Sequence, residues 1–373
     1  MQANSFSIFK RLILTYSYIQ LEAKRYHRSI ISIILEMLYL CIKNGFGPNY
    51  YLLAGMADKN MSWHEKCQHI NHAQYHRALN ILNPIPYRKL TQHKLTEKAF
   101  LQLAKIPTAD FIGYYHPLKG FDDNGDSLRT YAALERLMLS FQGGSICIKI
   151  PEGSCGQGFF AGEVQENEQD SEEIILKPIC KLNTIPLEAL LEDYKDVIEH
   201  EGIILEHYIK QTKGYARFNP ASVNTVRVWV LQTKGTIEVI GAYFRIGRKD
   251  SIVDNSGAGG IVCPVDHKTG KLAKGIFTAT PYRENIEHHC DSQVPLYNEV
   301  LPRWQEILDC SCETLRKLPY TNFAGLDICM SDSGPLVIEV NVAPDKDGAA
   351  YANIPSSLLL KAANELMTAD RCQ

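Results

Sequence analysis

The chain has no apolar run long enough to cross a bilayer. Its longest, SIISIILEMLYLCI at 29–42, holds 14 residues with Glu36 inside it, whereas a spanning helix needs roughly 20. An excess of one charge is also missing. The 39 Lys and Arg against 42 Asp and Glu leave a net charge of −3 with no long basic run, which predicts no nucleic-acid partner. The eleven cysteines form no CxxC pair, and the N-terminus carries no secretory signal pattern, so the expectation is a cytoplasmic chain with reduced thiols. Neither the P-loop pattern nor the GxGxxG dinucleotide fingerprint occurs, and no Ser-His-Asp or Cys-His set stands out. What remains is an ordinary globular composition, 45% hydrophobic and 22% charged over 373 residues, enough for two or three domains.

Residues 6–42 read as two helices around the basic joint EAKRYHR, stopped by Gly45-Phe46-Gly47-Pro48. Packing against the body is the first expectation. Association of residues 6–42 with a membrane surface, at the inner face, and a partner-protein helix are the alternatives. Residues 58–83 read as a helix carrying His69, His72 and His76 at i, i+3 and i+7. That spacing invites a zinc reading, but no acidic or thiol partner follows at metal spacing, and a polar helical face is the preferred account of these residues. After the Asn83–Pro86 break a helix is predicted from about Thr91, with Lys94 or Lys98 in reach of a phosphate.

The stretch SICIKIPEGSCGQGF is more informative. A strand ends in Lys149 and opens into a loop with Gly153, Gly156 and Gly158. Glycines let backbone N–H groups approach phosphate oxygens, and the lysine adds a point charge. A glycine hairpin beside a solvated lysine is the plain alternative. Further on, GIILEHYIKQ reads as a strand whose polar-apolar edge, after Glu206, offers backbone groups to an adenine, or as an ordinary strand terminus. Arg227 and Arg245 fall among apolar neighbours on consecutive strands. A half-buried arginine needs an anion, so each pairs with a carboxylate or holds a phosphate; Glu238 is the one obvious cross-strand acid. Asn255, Gly257, Gly259 and Gly260 follow in a loop of the kind that forms lids.

Residues 323–345, FAGLDICMSDSGPLVIEVNVAPD, read as a β-hairpin about the turn Ser331–Gly334. Alternation sets Asp327 on one arm and Glu339 and Asn341 on one face of the other. Three hard oxygen donors meeting at a sheet end suit Mg²⁺, with Mn²⁺ as the substitute. Solvated acids on an ordinary hairpin are the alternative, and the apolar runs around both carboxylates count against it.

The order of these stretches (lysine strand with glycine loop, arginine strand pair, Asp followed by Glu-x-Asn), together with FNPASVNTVRV, DNSGAGGIVCPVD and the hairpin, resembles the sugar-transfer-associated branch of the ATP-grasp superfamily over about 90–365. The resemblance implies an α+β fold in which two subdomains clamp ATP, preceded here by an N-terminal helical extension. Expected domains are 1–60, 61–145, 146–210 with the glycine loop, and 211–373 as the catalytic part. By the same resemblance Lys149, with Lys94 as the earlier lysine, contacts phosphates and Gly153, Ser154, Gly156 and Gly158 close over them. Glu206, His207, Tyr208 and Ile209 form the adenine hinge, Arg227, Arg245 and Asn255 serve catalysis, and Asp327, Glu339 and Asn341 hold Mg²⁺. The chain departs from related peptide ligases at Asn224, where they carry an acid, and at Gly325, where some carry an arginine.

The implied chemistry is ligation of a small-molecule carboxylate to an amine, an amino acid or a sugar-linked group, through an acyl phosphate, in polysaccharide or related conjugate assembly. A kinase acting on a sugar hydroxyl, with Asp266 or His267 as base, and a nucleotide-binding module without turnover are the rival readings.

Overall fold

The computed structural model describes residues 8–153, 156–167, 173–249, 251–255, 257, 259–277 and 283–370. Two long helices, α1 (Ile8–Arg25) and α2 (Ile30–Asn44), open the chain. Gly45, at φ 74°, ends α2 by returning its N–H to the Cys41 carbonyl, a conformation glycine adopts without a Cβ penalty. One face of α2 buries Ile33, Met37 and Leu40 against Tyr51 and Met56, in a core that reaches Ala350 near the far end of the chain. Glu36, the charge inside the apolar run, is answered by Arg28 at 2.9 Å, Lys66 at 2.7 Å and the Tyr51 hydroxyl at 2.7 Å. The opposite face leaves Ile31, Leu35, Leu38 and Ile42 exposed.

Three helices follow: α3 (Pro48–Leu53), α4 (Trp63–Cys67) and α5 (His72–Leu82). The single helix expected over 58–83 is therefore two. Capping boxes at Ser62/Glu65 and Asn71/Gln74 start each piece, because their side chains satisfy the first-turn amides. His69 lies in the break, buried between the Tyr50 hydroxyl and the Asn353 amide oxygen, both at 2.9 Å, so it shares no face with His72 and His76. The next helix also begins earlier than expected. In α6 (Ile85–Gln92) Pro84 precedes the helix and Pro86 sits in its first turn, where a missing N–H costs nothing, and α7 (Lys94–Leu103) starts after a break at His93.

The first sheet comprises β1 (Phe111–Tyr115), β2 (Phe121–Asp122), β3 (Ser145–Lys149), β4 (Phe160–Glu166), β5 (Ile174–Pro178), β6 (Ile185–Pro186) and β7 (Ile203–His207). Its antiparallel order is β2-β1-β7-β3-β4-β5-β6. It packs on α8 (Tyr131–Leu139) and on α9 (Leu187–Asp193) and α10 (Lys195–His200), two helices broken at Tyr194 where one was expected. Because β1 and β2 belong to this sheet, the boundary expected at 145/146 falls inside it.

After α11 (Lys213–Ala216), the second sheet takes β8 (Thr225–Thr233), β9 (Thr236–Ile246), β10 (Ile261–Asp266), β11 (Lys271–Leu272), β12 (Gly275–Phe277) and β13 (Glu284–Ile286). Helix α12 (Trp304–Lys317) then leads to the predicted hairpin, β14 (Phe323–Ser331) and β15 (Gly334–Asn341). The strand order is β13-β12-β10-β9-β8-β14-β15, with β11 beside β10. One face packs on α12 around Phe244, Val228 and Leu326, and the other on α5 and the terminal helices α13 (Asp347–Ala352) and α14 (Ser357–Asp370) around Trp229. The result is an α+β fold with two antiparallel sheets and an N-terminal helical extension.

Candidate active site

A cleft of about 390 Å³ is lined by residues of both sheets. Its floor is one cross-strand ladder. Glu339 on β15 pairs with Asp327 on β14, Asp327 with Arg227 on β8, and Arg227 with Tyr243 on β9. Asn341 sits opposite Gly325, two residues along the same face. A bulge after Asp327 sets Val337 opposite Ile328 and leaves Ile338 over; Ile338 lines the cleft while Val337 stays in the core.

Both arginines find their anion within the protein, and it is not Glu238, which pairs with Leu231. Arg227 holds both oxygens of Asp327 through Nε and Nη2, the latter at 2.9 Å. Arg245 donates to the same carboxylate at 2.8 Å, to the Thr225 hydroxyl at 2.8 Å, and lies 3.5 Å from Asp254. Burial alone would raise the Asp327 carboxyl, but the two guanidiniums outweigh it and hold it below its usual range. Asp254 is pushed upward by burial despite Arg245, while accepting the Thr225 N–H and hydroxyl.

Gly325 explains itself in this setting. A Cβ there would come within 2.9 Å of Pro344 and 3.3 Å of the Arg227 side chain, so the space that another side chain would enter is held by Pro344 and Arg227. Asn224 is fully buried and faces no cleft. Its amide ties Tyr215, Asn219 and Gly247 together and so braces the entry to β8.

The other wall carries the cations. Lys149, at the end of β3, pairs with Glu206 at 2.5 Å, and Lys98 of α7 meets the second oxygen of the same carboxylate at 2.8 Å. Burial works against both charges of the Lys149–Glu206 pair, yet the carboxylate holds the lysine above its ordinary value and the two lysines hold Glu206 below its own. Lys98 also bonds Thr108 and the Ala109 carbonyl and, unlike Lys149, does not line the cleft, so the structure does not bring it to the site as expected. Lys94 lines the cleft and its ammonium meets the Gly153 carbonyl.

Gly153 and Gly156 line the cleft, and Ser154 lies outside the described residues. Gly156 and Gly158 take φ of 75° and 62°. A Cβ on Gly156 would stand 2.8 Å from Val253, so the loop touches the far wall beside Asn255, itself a lining residue. The stretch Glu206–Ile209 is placed otherwise than expected. β7 is an interior strand between β1 and β3, the His207 and Tyr208 amides donate to Asp110 and Ser145, and none of the four residues lines this cleft.

Sequence reasoning missed Tyr243, Asp254 and Thr225, which surround the arginines, and Asp345 and Tyr351 at the rim. The period-two spacing of Tyr243 and Arg245 was the available signal. It also missed Glu97 on α7. Its carboxyl accepts the Val340 N–H at 2.5 Å, and burial, with Glu339 nearby, pushes it up to about 8.

The donor set fits a hard divalent cation. Glu339 makes no ion pair among the described residues, its carboxylate accepts only a long 3.4 Å contact from the Asn341 amide, and the Asn341 side-chain oxygen accepts none. Asp327 keeps lone pairs on the oxygen that meets only Arg227 Nε.

A profile for a family described as sugar-transfer associated ATP-grasp matches residues 72–362. No curated protein matches the chain. Among solved structures it is similar to D-alanyl-alanine synthetase A from Vibrio cholerae O1 biovar eltor (12% identity, TM-score 0.43, covering 74% of this chain and 66% of that one). It is similar also to N5-carboxyaminoimidazole synthetase from Staphylococcus aureus complexed with ADP (13%, 0.39, 73% and 52%). A third is biotin carboxylase from Campylobacter jejuni (14%, 0.44, 76% and 48%). The chain spans between about half and two thirds of the length of these proteins.

Proposed function

We propose, for a chain that belongs to the sugar-transfer associated ATP-grasp family, that the cleft joins a small-molecule carboxylate to an amine at the expense of ATP. Its cofactors are ATP and Mg²⁺. The observation that carries the reading is that one cleft gathers a glycine loop with Lys149 on one wall and three oxygen donors, Asp327, Glu339 and Asn341, on the other. Those three residues would hold the ion, which supplies charge neutralisation on phosphate oxygens.

The residues themselves hold and orient. Lys149 and Lys94 approach the phosphates from the glycine-loop side, and Arg227 and Arg245 fix the Asp327 carboxylate in its ionised form. Activation of the carboxylate as an acyl phosphate needs positioning and charge compensation and no side-chain nucleophile, in keeping with a lining that holds no Ser or Cys among its described residues. A hydroxyl-directed kinase would need a base at the acceptor. Asp266 instead accepts from Lys268 and Thr269 within its own turn, and neither it nor His267 lines the cleft.

The family description supports substrates drawn from carbohydrate-conjugate assembly. The exposed stripe Ile31, Leu35, Leu38 and Ile42 supports a peripheral membrane position. The test is incubation with Mg-ATP and pools of amino acids and uronic-acid sugars, with products separated by mass. An amide formed with ADP is expected; a phosphosugar, or no ADP with any pool, overturns the ligase reading.

A further inference from the structure

A second cavity, of about 620 Å³, lies on the other side of the segment that closes the cleft. Asp345 lines the cleft, and the next two residues, Lys346 and Asp347, line the second cavity. Most of the remaining wall comes from the N-terminal extension, with an apolar part formed by Leu14 of α1, Phe46, and Leu52 and Leu53 of α3, while His72 of α5 also lines it. The family profile begins only at residue 72, so this apolar part is an addition to the family's common part.

Lys346 is the unusual member. It is 5% exposed, and among the described residues it makes no ion pair and no side-chain hydrogen bond. Its ammonium lies 3.3 Å from the centre of the Tyr50 ring. Asp345 and Asp347 are its chain neighbours, yet neither comes within ion-pair distance. A buried ammonium without an anion in ion-pair contact is costly: the two neighbouring carboxylates act on it only from longer range, and a ring face offsets only part of the lost hydration. Burial lowers this lysine to about 8, so it still carries its charge at neutral pH. The chamber, within the usual size range of ligand pockets, thus pairs an apolar part with an end that carries the Lys346 ammonium beside Asp347 and His72.

We propose that this cavity binds an anionic amphiphile, with one phosphate or carboxylate group on Lys346 and its alkyl or prenyl chain among Leu14, Phe46, Leu52 and Leu53. The site is separate from the nucleotide cleft and stands whether or not the ligase reading does. It gives the N-terminal extension a task, that of forming the apolar half of the chamber. The two sources of such a ligand, a soluble metabolite and a lipid in a bilayer, share this chemistry.

The test uses the full chain saturated with Mg-ADP, so that the cleft is occupied, and titrates octyl phosphate below its micelle concentration in a calorimeter. One site per chain is expected, with affinity at least about tenfold above that for inorganic phosphate and for octanol, since neither alone meets both halves of the chamber. Lys346→Met should lose about tenfold and Lys346→Arg should keep most of the affinity. Absence of binding, equal affinity for octanol, or an affinity that appears only when ADP is withheld overturns the proposal, and none of these needs a variant to fold. Co-sedimentation with phosphatidylglycerol vesicles, released by octyl phosphate, identifies the bilayer as the source; octyl phosphate binding without vesicle binding identifies a soluble ligand.

Discussion

Arg227 and Asp327 stand directly opposite each other on adjacent antiparallel strands, and the arginine grips both oxygens of the carboxylate. A residue suited to a metal is thus also the counter-ion of two arginines. Arg227→Ala would leave Asp327 buried with half its compensation, and unfolding in denaturant should show a loss of about 3–5 kcal/mol. Unfolding indistinguishable from the parent would mean that Arg227 serves a ligand and not the fold.

Glu339→Gln should behave in the opposite way. Its carboxylate has no ion pair to lose, so the melting temperature should stay close to the parent's while ATP turnover, followed as ADP release, falls to background. Retained turnover would remove Glu339 from the metal site.

Glu206 gives a pH prediction. Lys149 and Lys98 hold its folded-state pKa below the ordinary 4.5, so its contribution to stability is present above about 4.5 and is lost as pH falls through the depressed folded value. Glu206→Gln should cost about 3–5 kcal/mol at pH 7 by leaving two buried lysines uncompensated. The gap between variant and parent should narrow below pH 4.5; a gap that does not change with acid would show that the carboxylate's charge is not what matters.

Lys346 gives the reverse case in one respect, since here the charged form is the one the fold disfavours. Burial sets its folded pKa at about 8 against 10.5 unfolded, so the unfolded chain binds more protons between those values and the parent gains stability as pH rises through them. Lys346→Met should therefore melt higher than the parent at pH 7, with the advantage shrinking from about pH 8 towards 10.5. A variant that melts lower at pH 7 would mean that the ammonium is well compensated.

Deleting residues 1–44 should make the remainder aggregate. The cut uncovers Tyr51 and Met56 and strips Lys66 of its partner Glu36. A soluble, active truncation whose parent binds liposomes would show that the helices serve the membrane and not the fold.

The hairpin is legible in the sequence because its signals are local: a Gly-containing turn, period-two alternation, and acids lodged in apolar runs. The partners of Arg227 are not, because β8 takes its neighbour β14 from about a hundred residues further along the chain. Strand order, and not spacing, decides which carboxylate an arginine meets. His69 misleads for a related reason: i, i+3, i+7 spacing holds only while the helix continues, and the Asn71 cap interrupts it. The interior position of β7 is hidden likewise, since β1, which covers one of its sides, lies ahead of β3 in sequence.

Glu97 and Lys98, neighbours on α7, are fastened to different sheets: Glu97 to the Val340 amide of β15, Lys98 to Glu206 of β7. Thr108 adds a hydroxyl bond to the Val337 carbonyl at 2.8 Å. One turn of helix is therefore the root from which both walls of the cleft spring. Any opening of the mouth is a swing about this root, and travel grows with distance from the pivot. Lys149 is moored to the same Glu206, whereas Gly156 reaches across to Val253 on the far wall, so the two ends of the glycine-loop stretch are tied to opposite sides of the cleft.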